Sequence, residues 1–165
     1  MTTPLMKRET PRARASDTLR AHLQRVLVAL VDLHVQGKQA HWNVTGRGFR
    51  DLHLQLDELV DVAREHSDAV AERLRALQAV PDGRTETVAT TTDLSPYPAG
   101  LVSVGDTVDA IVERVAQTVE VARQVHDDVD AEDPTSADLL HEVITDLEKQ
   151  AWMISSENTE ADAEA

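Results

Sequence analysis

The chain has 165 residues and a mass of 18.1 kDa, the size of one domain around a single hydrophobic core. Its 30 acidic residues against 16 basic ones give a net charge of −14, which excludes a body that coats itself in nucleic acid through general electrostatics. The absence of cysteine excludes disulfides, thiolate zinc sites, iron–sulfur clusters and cysteine nucleophiles.

Residues 1–15 read as a flexible basic tail, with Lys7, Arg8, Arg12 and Arg14 set against Glu9, and with Pro4 and Pro11 opposing a helix. Ser16 and Asp17 then offer caps for a first helix, whose apolar stripe runs Leu19, Leu23, Val26/Leu27, Leu30, His34 and Gly37 to about His41. A short turn at Thr45-Gly46-Arg47-Gly48 leads into a second stripe, Leu52, Leu56, Leu59/Val60, Ala63, Val70, Leu74 and Leu77, which Pro81-Asp82-Gly83 is expected to end. A long connection follows, from about Pro81 to Gly105, with room for a short helix at Thr85–Thr91. Gly105 with Asp106 is expected to open the third stripe, Val108, Ile111/Val112, Val115, Val119, Ala122, Val125 and Val129. Asp133 followed by Pro134 reads as an N-cap and first helical position for the fourth, Leu140, Val143/Ile144, Leu147, Ala151 and Ile154. Residues 158–165 read as an acidic, flexible tail. Two helical hairpins joined by a long crossover make an all-α, ferritin-like four-helix bundle over residues 16–157. No apolar run reaches the ~18 residues of a membrane span, and no signal-peptide segment is seen at the N-terminus, so the expected location is cytoplasmic.

The second helix carries the chemistry. With His53 at zero on a helical wheel, Asp57 falls at about 40°, Asp68 at about 60° and Glu72 at about 100°, one stripe roughly 150° from the core stripe. That face suits a solvated surface or a subunit interface, and a solvated face is the ordinary meaning of such a stripe. Asp57 and Asp68 lie about 16 Å apart along a straight helix, too far to share a metal within one chain, because metal–oxygen bonds are about 2 Å long. Two antiparallel copies related by a two-fold axis remove the difficulty and give two identical sites. His41 precedes the first turn by about as many residues as His53 follows it, so the hairpin brings them level. The expected site is His41, His53 and Asp57 from one chain with Asp68 and Glu72 from a second. Two imidazoles and three carboxylates suit iron or manganese, with zinc as a competitor.

These residues carry a resemblance. Lys38-Gln-Ala-His41-Trp42-Asn43-Val44-Thr-Gly46, then Phe49, Leu52-His53 and Asp57, resembles the first signature of the Dps family, the starvation-induced mini-ferritins, and Asp68-Ala-Val-Ala-Glu72-Arg73 resembles the second. The helix layout extends the likeness over roughly residues 17–157. The resemblance implies a hollow homo-dodecamer of tetrahedral symmetry, with di-iron ferroxidase centres at two-fold interfaces. Its positions match His41, His53, Asp57, Asp68 and Glu72 to the family's iron ligands. It further implies oxidation of Fe(II), preferably by hydrogen peroxide, with storage of Fe(III) mineral and suppression of hydroxyl radical. Carboxylates favour Fe(III), histidines retain Fe(II), and paired irons can pass two electrons to one peroxide. Trp42, beside a ligand, is a candidate electron donor, with a packed interface aromatic as its more ordinary reading. Lys38 is expected to ion-pair near the site.

Three other readings compete with this one. A larger ferritin with Glu-x-x-His pairs in its core is disfavoured, because no Glu stands three residues before any histidine and Asp138-x-x-His141 is the lone acidic counterpart. A shell with inactive sites has nothing in the sequence to recommend it. A DNA-compacting shell, nucleoid-associated through twelve basic tails, is allowed by the resemblance and opposed by the acidic body and C-terminus. Asp127, Asp128, Asp130, Asp133 and Asp138 crowd the junction of the third and fourth helices. Acidic residues near this junction line a three-fold pore in the family, and Asp138 is the best candidate here. His22 and His34 read as structural, while His66, His126 and His141 have no assigned role.

Overall fold

The computed structural model describes residues 13–159. Lys7, Arg8 and Arg12 of the basic tail, and Glu160, Asp162 and Glu164 of the acidic one, lie outside the described residues. The chain is mostly helical. Helices α1 (Asp17–Asn43) and α2 (Phe49–Ala76) form one hairpin, and α4 (Val104–Glu132) and α5 (Pro134–Ser155) form the other. The crossover between them carries the short α3 (Thr85–Thr91). Two strands of two residues each, β1 (Val44–Thr45) and β2 (Val102–Ser103), pair in parallel with Val44 opposite Val102. They tie the end of the first hairpin's ascending arm to the end of the crossover.

The four stripes meet in one core. Leu23, Leu30, Leu33, Leu52, Leu56, Leu59, Leu74, Ile111, Leu140, Leu147 and Ile154 are fully buried. Burying each such side chain contributes about 1.5–3 kcal/mol, which is what holds amphipathic helices that would be marginal alone. Gly37 sets how closely the first hairpin closes. A Cβ at this position would lie 2.9 Å from Val60 Cγ2, inside van der Waals contact. Among the described residues no helix is long and apolar enough to cross a membrane.

The helix ends show where local chemistry differs from the sequence expectation. Ser16 does cap α1, accepting from the Leu19 N–H at 3.1 Å. Its own N–H and hydroxyl donate to the Glu132 carboxylate at 2.9 and 2.6 Å, fastening the start of α1 to the end of α4. Helix α2 stops at Ala76, before Pro81-Asp82-Gly83, because Gln78 takes a left-handed φ of 61° and turns the chain out of the helix. Helix α4 opens at Ser103 rather than at Gly105: the Ser103 hydroxyl accepts from the Asp106 N–H at 3.2 Å and donates to the Asp106 carboxylate at 2.7 Å. Asp133 stands at the N-cap of α5, yet its carboxylate makes no capping bond to the backbone. It receives Arg73 from α2, with Arg73 Nη2 at 2.7 Å, and the Ser136 hydroxyl.

The crossover is anchored by a buried cation. Arg114 of α4 donates to Gln36 Oε1 at 3.0 Å and to the Pro96 carbonyl at 2.5 Å, with Tyr97 under its guanidinium. Gln36 passes the chain of bonds to Asp32 at 3.0 Å, and Thr92 donates to the same carboxylate oxygen at 2.6 Å. Each of these polar groups is buried or half-buried and answered by a partner, which avoids the cost of an unpaired charge in the bundle.

Candidate metal centre

The α1–α2 hairpin brings His41 and His53 together near its closed end. The imidazoles stack with centroids 3.6 Å apart and planes 21° apart. Each ring is held by the other's backbone. His41 Nδ1 donates to the His53 carbonyl at 2.8 Å, and His53 Nδ1 donates to the His41 carbonyl at 2.9 Å. A carbonyl oxygen can only accept, so both Nδ1 atoms carry hydrogen. In the neutral rings each Nε2 then holds the free lone pair, the form in which imidazole binds a metal. His41 is buried and His53 half-buried.

Asp57, one turn after His53, faces the same cluster. Its Oδ1 accepts from Lys38 Nζ at 2.5 Å and lies 3.1 Å from His41 Nδ1. The Lys38 hydrogen bond holds the Asp57 carboxyl below the ordinary aspartate range; slight burial opposes this, and the charges of His41, Lys38 and His53 reinforce it. Lys38 thus pairs near the site, as its position one turn before His41 suggests. Among the described residues no hydrogen bond engages Asp57 Oδ2, which stays available.

Asp68 and Glu72 lie further along α2, both exposed and without side-chain hydrogen bonds among the described residues. Among the described residues, no three His, Asp or Glu side chains of one chain converge on a point that could hold a metal ion. The five residues therefore form two separate half-sets on one face: His41, His53 and Asp57 near the turn, Asp68 and Glu72 beyond it. Trp42 is 69% exposed and shares a groove with His34, Val35, Lys38 and Arg64, so within one chain it is not packed away. Phe49 sets its ring edge-on to His53 at 6.5 Å.

The ferritin-like domain family matches residues 20–162. The DNA protection during starvation protein of Agrobacterium fabrum is 34% identical over 94% of this chain and 96% of its own length. The chain is a Dps-family member of the ferritin-like superfamily. The Dps of Microbacterium arborescens, solved in a high-iron form, superposes with a TM-score of 0.83 at 32% identity, covering 90% of this chain and 99% of that one. A Dps of Deinococcus radiodurans superposes at 0.84 with 30% identity, over 88% of each chain.

In this Dps-family chain the remaining predicted positions divide. Asp127, Asp128, Asp130 and Asp138 are exposed at the α4–α5 junction. Asp133 is not free to line a pore, because Arg73 and Ser136 occupy its carboxylate. His66, two residues before Asp68, turns the other way and reaches Asp146 of α5 at 2.9 Å, a bond between helices. His22 lies 3.4 Å from Asp128, and neither ring nitrogen of His34 has a partner among the described residues. Burial and the Arg64 charge lower the His34 pKa against the opposing charge of Asp32. The reciprocal ring-to-carbonyl bonds of His41 and His53 have no counterpart in the sequence pattern. The signal available was their equal distance from the turn, which gives proximity but not orientation.

Proposed function

We propose that this chain is a mini-ferritin that oxidises Fe(II) at sites shared between two copies and stores the Fe(III) product inside a twelve-chain shell. The observation that carries this reading is the His41–His53 pair. Two stacked imidazoles keep their Nε2 lone pairs free, with the ionised Asp57 carboxylate 3.1 Å from His41 Nδ1, while the other two carboxylates of the stripe stand too far along α2 to join them in the same chain. A second copy with its α2 antiparallel supplies Asp68 and Glu72 to the first, and receives the same in return. Exposed Val35, Trp42 and Phe49 provide apolar surface for that contact. The names of relatives point the same way: one is a Dps in a high-iron form, another a DNA protection protein.

Iron is the substrate here. Histidine retains Fe(II), and the carboxylates favour Fe(III), so oxidation at the site is downhill. Two Fe(II) ions deliver two electrons to one hydrogen peroxide, which with two protons becomes two waters. No one-electron oxygen species is released, and Trp42 stands next to His41 as a donor for strays. Binding of DNA through the basic tails remains the second reading, supported by the relatives' names and by residues 1–12 of the sequence.

The test is anaerobic Fe(II) loading followed by hydrogen peroxide, with particle mass measured in parallel. About two irons oxidised per peroxide on a twelve-chain particle is expected. His41→Ala and Glu72→Ala should each slow oxidation and leave the particle assembled. Oxidation no faster than in protein-free buffer, on an intact particle, refutes the ferroxidase reading. Mixing the particle with duplex DNA at low and moderate salt tests the second reading, and no shift at either salt removes it.

A further inference from the structure

The middle of the α2 stripe, between the two half-sets of metal ligands, carries two charges that the iron reading does not use. With His53 at zero on the helical wheel, Arg64 falls at about 20° and Asp61 at about 80°, both on the stripe that runs from His53 to Glu72. Both side chains are exposed, and among the described residues neither makes a hydrogen bond or an ion pair. Together with Asp68 they line one open groove of about 800 Å3. They do not pair with each other, although residues three apart on a helix are neighbours.

An antiparallel contact accounts for both. The shared centre sets His53 and Asp57 opposite Asp68 and Glu72 of a second copy. Four residues inward from Asp57 lies Asp61, and four inward from Asp68 lies Arg64. The same register therefore sets Asp61 of each copy opposite Arg64 of the other. One residue inward from His53 and from Glu72, it sets Leu54, 50% exposed, opposite Ala71. Asp61 and Arg64 lie about 2 Å along the helix from the two-fold axis. Crossed helices separate with distance from their crossing point, so the contact is closest here at any crossing angle. Arg50 and Arg75 also come opposite each other, but they lie about 19 Å from the axis. Arg75 Nη1 is turned back to the Ala79 carbonyl at 2.7 Å.

We propose that Asp61 and Arg64 are a self-recognition pair for a second copy of this chain, forming two reciprocal ion pairs across the two-fold axis that hold the register of the shared metal centre. The proposal rests on the shared-site reading of function. Between the half-sets Arg64 is the only cation on the stripe, against Asp57, Asp61, Asp68 and Glu72. Lys38 of the same chain already answers Asp57. A slip of three residues either way sets like charges opposite each other, Arg64 against Arg64 or Asp61 against Asp61. Like charges in a contact repel and suppress the wrong arrangement.

The experiment reverses each charge in the full chain, as Asp61→Arg and Arg64→Asp. Each variant is studied alone and as a co-expressed equimolar mixture, with particle mass followed by light scattering over a dilution series at low salt. Alone, each variant sets like charges together twice per contact, and its half-dissociation concentration should rise about tenfold or more over wild type. In the mixture, a contact between unlike chains is again opposite in charge at both places, and the midpoint should return to within about threefold of wild type. An ion pair within one chain could not be repaired this way. Both positions are exposed, and circular dichroism verifies that helix content is kept. No rise in either variant, or a mixture as dissociated as its components, overturns the proposal. A separate mixture, of His41→Ala with Glu72→Ala chains, tests the reading beneath it, because each unlike pair then holds one intact shared site. Recovered iron oxidation there, with no repair by mixed charge variants, leaves the shared centre standing without this pair. No recovery removes the shared centre itself, and the proposal with it.

Discussion

Replacing Gly37 by alanine tests the close approach on which the first hairpin depends. The added Cβ would sit 2.9 Å from Val60 Cγ2. Val60 is buried, and its β-branched side chain has one favoured rotamer in a helix, so it cannot swing aside. Overpacking of this kind costs about 1–3 kcal/mol. Against it stands the gain of about 1 kcal/mol from replacing a mid-helix glycine by alanine. The net is a loss of about 0–2 kcal/mol, or up to several degrees in Tm for a chain of this length. In a Val60→Ala background the clash is gone and only the propensity gain remains, so Gly37→Ala should stabilise by about 1 kcal/mol there. The coupling between the two positions is then about 1–3 kcal/mol. The assay is thermal and urea unfolding followed by circular dichroism for all four proteins, at one chain concentration because assembly shifts apparent stability. Stabilisation by Gly37→Ala of equal size in both backgrounds would refute the close approach of α1 and α2.

Two further predictions follow from helix ends. Burial alone would raise the Asp133 pKa, but bonds from Ser136 and Arg73, with the guanidinium charge, hold it below the ordinary range. A carboxyl depressed in the folded state stabilises above its unfolded pKa of about 3.9, and loses that contribution as pH falls through the folded value. Asp133→Asn should therefore lower Tm near neutral pH, and the gap to wild type should shrink below about pH 4. A gap that is unchanged on acidification contradicts the ion pair. Ser103→Ala should cost about 1 kcal/mol through loss of the α4 cap. Gly105→Ala should gain up to about 1 kcal/mol, since a Cβ there meets only Asn158 at 3.7 Å. A Ser103→Ala melt at or above that of wild type would argue against Ser103 as the cap.

The helices were legible because their apolar stripes are long and regular, from Leu19 to Gly37 and from Val108 to Val129. Periodicity is insensitive to detail at the ends, and there the structure departs from it. Gln78, not the Pro81-Asp82-Gly83 cluster, turns the chain out of α2, and nothing in a glutamine announces a positive φ. The Ser103 cap is readable, since Ser103-Val-Gly-Asp106 has the serine and acid of a capping box, but Gly105-Asp106 offers a competing start signal two residues later. Asp133 looked like a cap because it precedes Pro134. Its partner Arg73 lies 60 positions away in the chain, a distance that local pattern cannot bridge. The meeting of His41 and His53 follows from counting residues on either side of a turn. The bonds that orient their rings depend on the spacing between two backbones, which Gly37 and Val60 help to set.

The reciprocal bonds between His41 and His53 also have an entropic consequence. A metal ion that must gather freely rotating side chains loses affinity for every rotor it arrests, about 0.5–1.5 kcal/mol apiece. In this hairpin, folding has already stopped both imidazoles, so in the proposed centre they would be ligands whose orientation is set before any ion arrives. Among the described residues nothing restrains Asp68 and Glu72 in this way, so they can follow a change in ionic radius. In the proposed shared centre, a rigid jaw on one chain would then face a compliant one on the other, the first selecting the ion and the second accommodating its change of charge.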